Sequence, residues 1–397
     1  MSCRRTDQLM PGAGTSVSAA IGTRCDGRAS CAVMPAQAGI HRPRQQSGAA
    51  LVIALLVFAI CATLIVAMKA DFELFLQRGA NSFLAEQGYA YLRGAEDLAA
   101  LALVLDYDMD KAAETSRDDL TEEWAKSRLP FMLDDGSGQM RGLRPDPQNA
   151  GRFFIIEDLQ GRFNLNNLLD GGSTPQGPGG EEGDPGAVPR YTPVQAQFIR
   201  LLQTFEEPAL SQQEAAAVTD AVLDWMDSDN IPRPFGAEDD YYFGREPAYR
   251  AANRRLSSVS ELRAVANITP ELYRALAPWV TVWPLEGRSK LNIHTAPARV
   301  LQSLNADDDL SPLAPEQAQA MVELRGEAGF ADVDAFLGQP LYAERATDQL
   351  RTLLGEKSEW FLLSAVAEVA DRNRHLYSVL HRNQRRVESR ARSAGEL

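Results

Sequence analysis

After residue 61 the chain contains no cysteine. Its four, Cys3, Cys25, Cys31 and Cys61, all fall near the N-terminal end of the 397 residues. A disulfide scaffold, a thiolate zinc site and a cysteine nucleophile are therefore excluded downstream. Histidine is also scarce, at four residues. Of these, His294 falls in a strand-to-helix turn and reads as a hydrogen-bonded structural residue rather than a catalyst. No HExxH, GxSxG, Walker or GxGxxG pattern occurs. Positive charge is in deficit: 40 Lys and Arg stand against 54 Asp and Glu, a net charge of −14. Such a balance suits neither nucleic acid nor an anionic bilayer surface. What remains is ordinary globular composition, 45% apolar and 24% charged, which excludes collagen, mucin stalks and full disorder. The length allows two or three domains.

One long apolar run is present. Ala49 to Met68 carries no charge and is almost entirely Leu, Ile, Val, Phe and Ala. At about 1.5 Å per helical residue it spans roughly 30 Å, the thickness of a bilayer core. It reads as a membrane helix. Arg42 and Arg44 before it favour an N-terminus inside and the bulk of the chain outside, which is the periplasm if the cell is a Gram-negative bacterium. The run is too long for an ordinary signal h-region and lacks a small-residue cleavage site after it. Ser47-Gly48 directly abuts it instead. A glycine there, after basic residues, resembles the prepilin peptidase site of type IV pilins and pseudopilins, which would be cut after Gly48 to leave Ala49 as the new N-terminus. Residues 1–48 are then a leader, and Met34 offers an alternative start. The fifth position after the cut is Ile53, where pilin-like subunits mostly carry Glu. That Glu pairs with the N-terminal amine of a neighbour, so its absence suits a subunit with none ahead of it, at a filament tip.

Apolar residues at helical spacing continue the helix from Lys69 to Leu105. Asp118 to Arg128 reads as a short helix ended by Pro130. In Arg152–Asn167 two apolar runs flank Asp158–Gly161, a hairpin-like pattern. Residues 170–190 are rich in Gly and Pro and read as a loop. Helical pieces follow at Val194–Phe205, Gln212–Met226, Val259–Ala266 and Pro270–Trp279, with a capping box expected at Ser258 to Glu261. Arg162-Phe-Asn-Leu-Asn166 is echoed by Lys290-Leu-Asn-Ile-His294, each a strand-like stretch running into helices. The second set comprises Ala296–Leu304, Pro315–Arg325, Val333–Leu337 and Glu344–Leu353. Glu359–Val369 and His375–His381 read as two strands. The expected fold class is α+β: a pilin-type transmembrane helix, an antiparallel sheet domain and a large all-α insertion of two small helical modules. The expected boundaries are 1–48 leader, 49–68 membrane helix, 69–190 helix and first strands, 191–283 first module, 284–355 second module, 356–385 C-terminal strands and 386–397 a frayed tail.

With these motifs in order, the chain resembles the K subunits of type II secretion systems, the largest minor pseudopilins. The resemblance rests on Gly48 with its apolar helix, Glu157–Leu168, Asp224-Trp-Met-Asp-Ser-Asp229, Gly236–Tyr242, Ser258–Arg263 and Leu291–Ala296. It implies a pilin-like fold with a helical insertion and no enzymatic activity. It also implies cleavage and methylation by prepilin peptidase, contact with the inner-membrane secretion platform, and a place at the pseudopilus tip with the I and J minor pseudopilins.

The candidate site is an acidic loop: Asp227, Asp229, Glu238, Asp239 and Asp240 fall within 14 residues. Numbered from Asp227, Asp229 and Glu238 occupy positions 3 and 12 of a calcium loop, but Ile231 and Pro232 stand where an EF-hand needs a ligand and a glycine. Carboxylates crowded on one irregular loop repel unless a cation or water separates them. Oxygen ligands without His favour Ca²⁺ over Zn²⁺, and the resemblance also implies calcium here. Two other readings are weaker. A glycosidase carboxylate pair has no supporting feature. A helix-hairpin-helix over Asn292–Leu337 would place Asn305-Ala-Asp-Asp-Asp-Leu310 at the phosphate, and that acidic, glycine-free turn would repel it.

Overall fold

A computed structural model describes residues 49–395, apart from 116, 134, 135, 137, 171–189, 328, 344 and 371. The leader with Gly48 and most of the Gly/Pro-rich loop lie outside the described residues. The chain divides into two units at Asp71/Phe72. Within the first, the described residues are the start of helix α1 (Ala49–Ala113), whose apolar stretch has its large side chains exposed.

In the second unit one face of α1 is buried. Leu92, Ala95, Glu96, Ala99, Leu103 and Asp106 form a buried stripe at helical spacing. They pack on a sheet through Trp124, Ile156, Phe361, Leu363, Leu376 and Leu380. The helix runs through Gly88 without a break, and a Cβ there would lie 3.2 Å from the side chain of Arg374, a close approach between α1 and the sheet.

Strands β1 (Phe131–Met132) and β2 (Gly138–Gly142) pair antiparallel, as do β3 (Arg144–Pro145) and β4 (Phe153–Phe154). β5 (Ile156–Asp158) is the last strand before the insertion. β6 (Phe163–Asn164) opens the first module, which holds α2 (Pro193–Leu202), α3 (Gln212–Met226), α4 (Asp239–Phe243), a 3-10 helix at Val259–Ala264 and α5 (Pro270–Leu276). β7 (Val280–Thr281) closes it by pairing parallel to β6. The second module repeats the device. β8 (Leu291–Asn292) opens it, α6 (Ala298–Gln302), α7 (Pro315–Glu327), α8 (Val333–Leu337) and α9 (Asp348–Leu353) follow, and β9 (Leu354–Gly355) closes it parallel to β8. Each module has its own core, around Phe198, Val222, Trp225 and Leu262 in the first and Ile293, Val300, Leu304 and Phe336 in the second.

The sheet is completed by β10 (Trp360–Val369), β11 (Arg372–Asn383) and β12 (Arg386–Ser393), in the order β1-β2-β10-β11-β12 with β5 also on β10. Phe361 to Leu363 of β10 lie opposite Asp158 to Ile156 of β5. Both modules are thus inserted between two hydrogen-bonded neighbours of one sheet.

The sequence echo corresponds to a repeated local structure. Asn164 and Asn292 are the second residues of β6 and β8, and both are buried. Each side-chain oxygen accepts the backbone N–H two residues on, from Asn166 and His294, at 2.9 Å. Ser258 and Glu261 form the expected capping box.

Three expectations fail for physical reasons. Asp118–Arg128 is a series of turns, not a helix. Asp119 accepts from its own Thr121 N–H at 2.8 Å, which competes with helix formation. Asp118 is held by the Ser358 N–H at 2.7 Å and by Arg382. The Asp158–Gly161 stretch is not a hairpin turn. It is a buried 3-10 turn whose flanking strands pair elsewhere, and the Gln160 side chain there reaches the carbonyls of Lys290 and Lys357 and the Glu359 N–H. The tail is not frayed over 386–393: those residues pair with β11, and Arg392 clamps Glu96 of α1 through two nitrogens at 2.8 and 2.9 Å.

Candidate metal centre

The acidic loop begins where α3 stops. Ser211 and Glu214 cap the start of α3 reciprocally, and Asp227 is its C-terminal cap. One turn back, Asp224 is fully buried. Arg233 folds back on it: its backbone N–H donates to Asp224 Oδ2 at 3.0 Å, and Nη1 donates to Asp224 Oδ1 and to Asp227 Oδ2, both at 2.5 Å. The returning chain passes so close that a Cβ on Gly236 would sit 1.8 Å from Asp224 Oδ2, so only glycine fits. Behind the loop, Trp225, Tyr242 and Tyr249 pack ring on ring, and the Tyr242 hydroxyl accepts the Ala266 N–H.

This folding brings Asp227, Asp229 and Glu238 together. One carboxylate oxygen from each lies within 4.8 Å of the others. Asp229 is exposed, and its Oδ1 accepts the Ile231 N–H at 2.9 Å. Glu238 is buried, yet neither of its oxygens has a hydrogen-bond partner, and Asp227 Oδ1 is buried and unpartnered too. Burial first, then the nearby Asp224, Asp227 and Asp229, pushes Glu238 up to about 8. Beside the loop, the Asn253 amide donates to Asn230 at 3.5 Å, while its buried Oδ1 has no partner.

Orphaned carboxylate oxygens of this kind are costly without a proton or a cation. The donor set is all oxygen, which fits a hard divalent ion. Asp239 and Asp240 do not join it. Asp239 accepts the Ala251 N–H at 3.0 Å, and Asp240 is exposed at the start of α4. Sequence reasoning missed Asp224 as the anchor, and Arg233 and Gly236 as the residues that bend the loop. The one available signal was Asp224 three residues before Asp227 on the same helix face.

Ala49 is the first residue of α1. The acidic turn at Asn305–Leu310 serves the fold. Asp307 accepts the N–H groups of Gln349 and Leu350 at the start of α9, and the Arg200 guanidinium bonds the carbonyls of Ser303, Ala306 and Asp309. His294 is buried against Phe330, and burial pushes it down to about 4, so it is neutral.

A membrane-type helix leading into a small sheet, with two bridged helical modules inserted, defines a pilin-like subunit with a large insertion. Two family models described as type II secretion system (T2SS), protein K, match residues 161–285 and 291–357, one over each module. The type II secretion system protein K of Pseudomonas aeruginosa is 33% identical over 349 residues, 86% of this chain and 90% of that one. Its counterpart from Pectobacterium carotovorum is 30% identical over 88% and 97%. A crystal structure of the GspK–GspI–GspJ complex from the type 2 secretion system of enterotoxigenic Escherichia coli matches with a TM-score of 0.62 at 25% identity, over 81% of this chain and 99% of that chain. The chain belongs to the type II secretion system protein K family.

Proposed function

We propose that this chain is the minor pseudopilin that caps the periplasmic pseudopilus, in a tip complex with the I and J subunits, and that it has a structural rather than an enzymatic role in secretion. The observation that carries the reading is the likeness, along nearly the whole of that relative, to a K subunit solved with I and J. The apolar start of α1 anchors the subunit in the inner membrane beside the secretion platform until assembly. Prepilin peptidase cuts between Gly48 and Ala49. The part of α1 facing away from the sheet exposes Leu98, Leu101, Leu105 and Met109 at helical spacing, a surface suited to lateral packing against the helices of I and J. Ile53 in place of a buried Glu removes the need for a subunit ahead.

Asp227, Asp229 and Glu238 would hold a calcium ion, with the Asn253 amide oxygen as a further candidate ligand. Such an ion supplies positive charge where buried carboxylates repel. Arg233 and Gly236 shape the loop in advance, so binding stabilises the folded first module by linkage.

Co-purification of the full chain with I and J, with and without prepilin peptidase, tests the reading. The expected result is a ternary complex and a peptidase-dependent mass loss ending at Gly48. A chain that is left uncut and captures neither subunit sinks it.

A further inference from the structure

The helical insertion leaves the sheet after β5 and returns to it before β10, and a groove of about 420 Å³ opens at that junction. Its size is that of an ordinary ligand pocket. The wall includes Gln160 after β5, Arg288 and Lys290 before β8, Glu356, Lys357 and Glu359 after β9, and Trp360 at the start of β10. Lysine is scarce in this chain, five residues in all, so two of them in one groove is a concentration.

Buried Gln160 brings the backbones of the two lysines together. Its amide nitrogen donates to the carbonyls of Lys290 at 3.2 Å and Lys357 at 3.4 Å, and its oxygen accepts the Glu359 N–H at 2.6 Å. A Cβ on Gly355 would lie only 3.0 Å from Cβ of Lys290, so β8 and β9 meet closely there. Both lysines are exposed, and among the described residues neither makes an ion pair or a side-chain hydrogen bond. Other charges on the wall are partly committed: Arg288 donates to the Asp170 carbonyl, and Glu356 accepts the Val333 N–H at 2.9 Å. Trp360 is stacked against Trp283 and His381, with ring centroids 5.5 and 4.4 Å apart. It is a fixed wall rather than a free platform for a base or a sugar.

Two unpaired ammonium groups on flexible stems, without the rigid fork of arginine, suit separate carboxylates rather than one planar group. Glu356 and Glu359 on the same wall repel a polyphosphate, a nucleic acid or an anionic headgroup. An extended polypeptide escapes that penalty, because it offers carboxylates to the lysines and backbone N–H groups to the glutamates. We propose that this groove binds an extended acidic segment of another protein, with its carboxylates on Lys290 and Lys357. A segment bound there touches β10 and the second module at once. This goes beyond the tip reading and does not depend on it.

The test uses the full chain in an uncharged detergent and a labelled peptide of alternating glutamate and glycine. Wild type should bind it, more weakly as salt rises. Lys290→Ala/Lys357→Ala removes only exposed side chains and should bind it about tenfold more weakly at low salt, with an unchanged melting temperature. The matching glutamine peptide and inorganic polyphosphate should both bind wild type more weakly than the glutamate peptide does. A charge exchange keeps the result independent of lost stability: Lys290→Glu/Lys357→Glu should reject the glutamate peptide and bind its lysine counterpart. No binding of the glutamate peptide by wild type overturns the proposal, as does equal binding by the alanine variant. Polyphosphate that binds more tightly than the peptide overturns it too, and makes the groove a phosphate site instead.

Discussion

Two acidic clusters of nearly the same make-up have opposite electrostatic solutions. Asp106, Asp110 and Asp118 bring carboxylate oxygens within 4.8 Å, as do Asp227, Asp229 and Glu238. In the first, Arg382 reaches in from β11. Its Nη1 donates to Asp106 at 2.9 Å, while Nη2 donates to Asp118 and to the Ser358 carbonyl, and the guanidinium lies over the Phe361 ring. In the second, Arg233 is spent on Asp224 and one oxygen of Asp227, and three carboxylate oxygens are left without partners. A count of acidic residues cannot separate the two. The reach of a single arginine does. The first cluster joins α1 and the loop after it to the sheet, and the second has the unfinished charge balance of a binding site.

The largest effect should come from opening the first cluster. Arg382→Met leaves Asp106 and Asp118 buried without their cation. Burial already pushes Asp106 up to about 6 against the pull of Arg382. Removing one partner of a buried ion pair costs about 3–5 kcal/mol, and denaturant melts of the two proteins should show a loss of that order. Because the arginine is what separates the two clusters, calcium should recover part of this loss, beyond the shift it gives wild type. A loss wholly insensitive to calcium would mean that something other than Arg382 distinguishes them.

A smaller effect, with a definite sign, belongs to Glu238. Its folded value of about 8 lies above the ordinary 4.5. Without a cation, the unfolded chain loses this proton first, so stability is full below about 4.5 and falls as pH rises toward 8. A cation must displace the proton. The calcium-induced rise in melting temperature should therefore be small at pH 5 and large at pH 8, with about 2.7 kcal/mol available at a hundredfold excess over the dissociation constant. Glu238→Gln should melt higher than wild type in EGTA at pH 8 and lose most of the calcium response. Equal calcium shifts at both pH values would remove Glu238 from the site.

What could be read in advance follows the range of the interactions involved. The long helix, α3 and the Ser258–Glu261 cap were legible because period and capping are local. The echo of Arg162–Asn166 in Lys290–His294 was visible, but its meaning, two parallel bridges closing two modules, depends on β7 and β9 more than 60 residues beyond their partners. Asp118–Arg128 misled because Asp118 answers to Ser358 and Arg382, far along the chain. β12 misled because an Arg-rich edge strand has the composition of a disordered tail. In the site, the twelve-residue spacing found Asp227, Asp229 and Glu238. It could not exclude Asp239 and Asp240, because that depends on how Gly236 lets the chain turn into α4.

Asp240 therefore supplies the finest comparison. It is as acidic as Asp229 and only two residues from Glu238, yet it is exposed at the first turn of α4 and lies outside the converging group. An exposed carboxylate on a five-residue helix has little to lose. Asp240→Asn should change stability by no more than about 0.5 kcal/mol and leave the calcium shift at pH 8 intact. Asp229→Asn, equally exposed, should reduce that shift, because its oxygen is one of the three that meet. Calorimetric titration of the two variants side by side separates geometry from charge. If both lose affinity equally, the loop attracts cations by its summed charge alone, and the convergence of Asp227, Asp229 and Glu238 defines no site.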